Sequence, residues 1–143
     1  MKGAVDKVPI VIFIVSSCLY GIIISTKTGL RGLRDDGSFE GRTAEIYACD
    51  NGVIITANFL RGYGNSIIIL HDNGNKSLYG HLSENYIVKN GDYVKKGEHI
   101  GYVGPKFLSN GISNGYTTGP HLHFTIFISN SKTVDPLTFE YEN

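Results

Sequence analysis

The chain has 143 residues, which is enough for one domain with a modest core and short for two. Thirteen basic and thirteen acidic residues cancel, so the basic excess of a nucleic-acid binder is missing and no nucleic acid is expected as a partner. Eighteen glycines, nine tyrosines, no tryptophan and no long helical periodicity favour an all-β domain with many tight turns.

Residues 1–7 form a short charged tail, and residues 8–25, "VPIVIFIVSSCLYGIIIS", are 18 residues without a charge. As a helix this run spans about 27 Å, just enough for a hydrocarbon core of roughly 30 Å. An N-terminal apolar helix serving as a membrane anchor is the first expectation. A secretory signal is the second, with "VSSC" at 15–18 resembling a lipoprotein box in which Cys18 carries the lipid. Against lipidation, "LYGIII" stays apolar after Cys18, where a polar tether is expected. A buried strand pair is the third reading, because Ile and Val dominate. Lysines and arginines on both sides leave the orientation open. The other cysteine, Cys49, sits beside a turn, so the two cysteines do not read as a disulfide framework.

Residues 26–43 are polar and glycine-rich and lack period-2 alternation, which reads as a linker or long loop. From residue 44 to 143, strand-like pieces alternate with turn signals. "EIYA", "VIITANF", "SIIIL" and "KSLYGHL" are punctuated by Asn51-Gly52 and Asn73-Gly74. "VKNGDYVKKGEHIGYVG" (88–104) carries two more short strands, and residues 105–118 are a loop rich in Gly, Asn and Ser. "HLHFTIFI" alternates cleanly, with His121, His123, Thr125 and Phe127 on one face and Leu122, Phe124, Ile126 and Ile128 on the other.

The alternation puts His121 and His123 on the same face of one strand, about 6.5–7 Å apart. With His81 in "LYGHL" they make three histidines suited to zinc chemistry if they converge. His71 starts a hairpin turn and reads as structural, whereas His99 in "GEHIG" reads as solvent-facing.

The blocks "GYGNSIIILHDNGNKSLYGHLS", "VKNGDYVKKGEHIGYVG", "TTGPHLHF" and "DPL", in that order over residues 44–137, resemble the lysostaphin/LytM-type zinc metallopeptidase domain. The middle block alone also resembles the hairpin of biotinyl and lipoyl carrier domains. Here, however, the tip is Lys95-Lys96 without flanking methionines, which argues against a carrier. The resemblance implies antiparallel sheets in a barrel-sandwich hybrid, the duplicated hybrid motif. It implies cleavage of peptide cross-links in peptidoglycan, with His123 as a zinc ligand and His81 and His121 as the catalytic pair. It also implies a groove for an extended, glycine-containing peptide, walled by Tyr63, Asn65 and the loop that carries Tyr116.

The family's other two ligands come from an upstream H-x-x-x-D motif, and this chain has no histidine before His71. Aligned on Gly32, Leu30 and Arg34 stand at the ligand positions; counted back from Ile46, Leu33 and Gly37 do. A catalytic zinc needs about three protein ligands and an open position. The expectation is therefore a membrane-tethered, catalytically degenerate domain with no cofactor, facing the extracytoplasmic side of a bacterial envelope. Its expected partner is a peptidoglycan peptide or a cell-envelope protein, and its expected tether is residues 8–25. The alternative is an active zinc endopeptidase with an unusual ligand set, for instance Asp36, His123 and His81, or with a ligand from a partner chain.

Overall fold

The computed structural model describes residues 45–128 and 132–134 with their side chains. It describes the strand backbone alone at 14–18, 21–24, 38–39 and 42–43. Twelve strands are described: β1 (Ile14–Cys18), β2 (Gly21–Ile24), β3 (Ser38–Phe39), β4 (Arg42–Thr43), β5 (Glu45–Tyr47), β6 (Gly52–Leu60), β7 (Gly64–His71), β8 (Lys76–Gly80), β9 (Tyr93–Val94), β10 (His99–Tyr102), β11 (Leu122–Phe127) and β12 (Thr133–Val134).

The main sheet has the order β1-β2-β11-β8-β7-β6-β9, with β12 also pairing β11, and its described pairings are antiparallel. β5 and β10 form a separate two-stranded ribbon, and β3 pairs β4 inside the stretch expected to be a linker. The all-β, antiparallel expectation holds. The barrel is not closed among the described residues, because the strand order runs from β1 to β9 without returning on itself.

Within residues 8–25 the described segments are strands, not helix. β1 and β2 pair through a register that includes Cys18↔Gly21, and β2 lies along β11. The β-branched isoleucines suit extended backbone, and β11 supplies an edge for them. A segment hydrogen-bonded into this sheet cannot at the same time cross a bilayer as a helix. The rest of 8–25, the tail 1–7 and most of 26–43, including Asp36, lie outside the described residues. No helix among the described residues is long and apolar enough to span a membrane.

The alternation of β7, β8 and β11 decides the core. Ile67, Ile69, Tyr79, Phe124 and Ile126 point to one face and meet Ile46 and Ile100 from the β5–β10 ribbon. Tyr79 and Phe124 are register partners, and their rings tilt together at 5.2 Å between centroids. The opposite face carries His123 and Thr125 of β11.

Beneath the site, two chain segments approach too closely for a side chain. Gly64 has a φ of +70°, and a Cβ there would lie 2.3 Å from the Asn114 carbonyl oxygen. Gly64→Ala is expected to cost about 3 kcal/mol or more, from left-handed strain plus overlap with backbone that cannot yield. Gly74, with a φ of +91° and nothing within 4 Å of the place a Cβ would take, is the control. Gly74→Ala should cost only the conformational penalty, about 1–2 kcal/mol. Urea unfolding of both variants checks this, and equal costs would show that the contact with Asn114 is unimportant.

Candidate functional site

One histidine of the site lies in β11 (His123), one immediately before it (His121) and one immediately after β8 (His81). β11 lies antiparallel to β8 with His123 opposite Gly80, so the chain leaving β8 delivers His81 beside the histidine pair. The His81 ring lies 4.7 Å from that of His121 and 5.9 Å from that of His123, centroid to centroid, the latter pair at 90°. Tyr63 packs edge-on against His123 at 5.2 Å. The three histidines that the sequence singled out therefore converge.

His81 has a φ of 59°, the left-handed region that is costly for a residue with a Cβ. Three hydrogen bonds hold it there. Its amide donates to the Tyr63 carbonyl (2.6 Å), its carbonyl accepts from Gly104 N–H (3.0 Å), and its ring Nδ1–H donates to the Asn114 carbonyl (2.7 Å). His121 is oriented in the same manner, with Nδ1–H donating to the Gly119 carbonyl at 2.8 Å. Thr117 Oγ1 lies 3.3 Å from the same nitrogen, donates to the Gly119 carbonyl and accepts from the Gly119 N–H. His123 Nε2 lies 2.9 Å from Thr125 Oγ1.

Asn114 is the residue that sequence reasoning missed. It is fully buried. Its Nδ2 donates to the carbonyls of Leu82 and Pro105, and its Oδ1 accepts from Asn65 N–H. Its amide donates to Lys106 O and its carbonyl holds His81. In the sequence it was one of several Asn-Gly pairs in a polar loop, and nothing in that composition marks burial.

The expected groove residues separate. Tyr63 touches the site, and Tyr116, 77% exposed, stands on the 105–118 loop. Asn65 is buried and holds Leu82 N–H and Asn114 Oδ1 with its backbone, so it supports the site from beneath and offers little surface to a ligand. His71, expected to be structural, is buried and bonds Asn51 O through Nδ1–H and Ser77 Oγ through Nε2. His99 is half-buried between Tyr47 and Tyr102 and donates Nε2–H to Gly101 O, so it does not simply face solvent.

The family model described as Peptidase family M23 matches residues 38–136. This chain belongs to peptidase family M23. Lysostaphin of Staphylococcus staphylolyticus is 40% identical over 99 residues, covering 66% of this chain and 19% of its own length. Glycyl-glycine endopeptidase ALE-1 of Staphylococcus capitis is 38% identical over 99 residues, covering 66% of this chain and 25% of its own. The chain thus spans about a quarter or less of these curated relatives. The solved catalytic domain of lysostaphin from Staphylococcus simulans superposes with a TM-score of 0.62 at 32% identity, covering 87% of this chain and 80% of that one.

M23 domains are zinc metallopeptidases, and the described residues by themselves do not complete a site for that ion. Among them no group of three His, Cys, Asp or Glu is arranged to hold a metal. The tautomers of two of the three imidazoles are set by backbone carbonyls, which leaves Nε2 of each as the free nitrogen.

Burial pushes His81 and His123 down to about 4 from the ordinary 6.5 and also lowers His121. The Asn114 carbonyl opposes the shift at His81, whereas the neighbouring imidazoles add to it. The unfolded chain takes up protons at these sites below about pH 6.5 and the folded protein does not. Stability is therefore complete above about 6.5 and is lost as pH falls towards about 4. Chemical denaturation between pH 7.5 and 4.5 should show this decline, and His81→Gln should flatten it. A wild-type profile level across that range would contradict three imidazoles held neutral by the fold.

Proposed function

We propose that this domain is a catalytically silent M23 member that binds an extended cell-wall peptide along the face carrying His81, His121 and His123. One observation carries the reading: the three late histidines converge, while the sequence has no histidine before His71 to complete a zinc site. Hydrolysis of a peptide bond needs an activated water and stabilisation of the oxyanion. Without the metal, the neutral imidazoles can position a ligand but lack the Lewis acid that polarises the scissile carbonyl and lowers the pKa of the attacking water. The relatives' names support the ligand class, since ALE-1 is a glycyl-glycine endopeptidase.

The place of action in this reading is the extracytoplasmic side of a bacterial envelope, where such peptides lie. An envelope protein presenting an extended segment to the same face is the related alternative. The competing reading is a zinc endopeptidase completed by an atypical ligand such as Asp36. Three imidazoles with unpartnered ring nitrogens favour it.

After exposure to zinc and dialysis into metal-free buffer, the purified full chain should carry less than about 0.1 zinc per molecule. It should cosediment with peptidoglycan and leave the turbidity of a wall suspension unchanged. Stoichiometric zinc that disappears in His123→Ala, together with falling turbidity, would establish the enzyme instead.

A further inference from the structure

The hydrogen bonds that hold the histidines also decide what they can recognise. A carbonyl only accepts, so the proton of His81 must sit on Nδ1, facing Asn114 O, and that of His121 on Nδ1, facing Gly119 O. Each ring therefore presents Nε2 as a bare lone pair. The third ring is adjustable, because Thr125 Oγ1 can donate to or accept from His123 Nε2.

Among the described residues, His81 Nε2, His121 Nε2 and His123 Nδ1 have no hydrogen-bond partner. They are not sealed in either: Asn65 Nδ2 is the one fully buried side-chain polar atom without a partner among the described residues. Two fixed acceptors thus lie on rings 4.7 Å apart, with an adaptable third ring 5.9 Å from the first and Tyr63 against it.

We infer that the His81–His121 pair recognises N–H groups of the bound peptide and not its carbonyl oxygens. The inference rests on the peptide-binding reading above and adds the polarity of the contact. A carbonyl oxygen placed against two lone pairs would meet no donor, whereas an N–H satisfies one acceptor directly. Such a site is the reverse of one built for acyl transfer, in which donors must converge on the carbonyl oxygen. The N–H can come from a backbone amide or from a terminal amine, and both present the same chemistry.

Three ligands test this against the full chain, with binding followed by NMR of the histidine rings. They are pentaglycine, N-acetyl-pentaglycine, and the depsipeptide of the same length with ester oxygens in place of the amide N–H groups. Changing the ligand leaves the protein's fold out of the question. Pentaglycine is expected to bind, and one of its two analogues to bind about tenfold or more weaker. Loss in the depsipeptide assigns the donor to the backbone amides, and loss on acetylation assigns it to the amine; either outcome supports N–H recognition. Equal binding of all three overturns it while leaving peptide binding intact. No binding of pentaglycine overturns the peptide-binding reading itself, and this inference with it.

Discussion

The placement of His81 depends on one fully buried residue. Asn114 joins β7, the turn after β8 and the 105–118 loop through its backbone and side-chain groups together. Burying so polar a residue is unfavourable unless every group finds a partner, and here every group does. The close approach this requires excludes a Cβ at Gly64 and at Gly115, whose Cβ would lie 2.5 Å from the Gly64 nitrogen. Left-handed backbone at His81 is tolerated because the same network over-determines it.

That clamp has a chemical consequence. A backbone carbonyl is a poor activator of imidazole compared with a carboxylate, but it is a definite selector of tautomer. By choosing Nδ1–H on His81 and His121, the Asn114 and Gly119 carbonyls leave Nε2 of each ring as an acceptor. Burial disfavours the imidazolium form at all three rings, so the cluster lacks the charge that would draw in an anion. Membership in a peptidase family thus coexists with a cluster of neutral imidazoles, two of which have Nε2 free as an acceptor.

Legibility varied from element to element. His121 and His123 were readable because period-2 alternation puts alternate residues of a strand on one face whatever surrounds it. The turn at Asn73-Gly74 was readable because Gly74 takes up its positive φ cheaply. Asn51-Gly52, expected as a hairpin turn, closes none, since β5 pairs β10 and β6 pairs β7 and β9. The apolar run 8–25 was ambiguous: its length suits a membrane helix and its isoleucines suit strands, and only the pairing of β2 with β11 distinguishes the two for the segments described. His99 misled because an isolated histidine between glycines reveals nothing of the tyrosines that flank it in space. Asn65, expected on the groove, proved to be buried support, since position in a motif does not reveal which side of the chain is covered.

By itself the sequence determined the class of fold, the family, the identity of the three histidines and the lack of any histidine before His71. These follow from local periodicity, turn chemistry and residue identity, which do not depend on distant contacts. Tertiary structure alone decided that His81 reaches the pair on β11, that Asn114 is the clamp, and which nitrogen of each anchored imidazole is left free. Those outcomes arise from hydrogen bonds between segments about 30 residues apart, such as His81 with Asn114, and the identities of the two residues do not reveal that they meet.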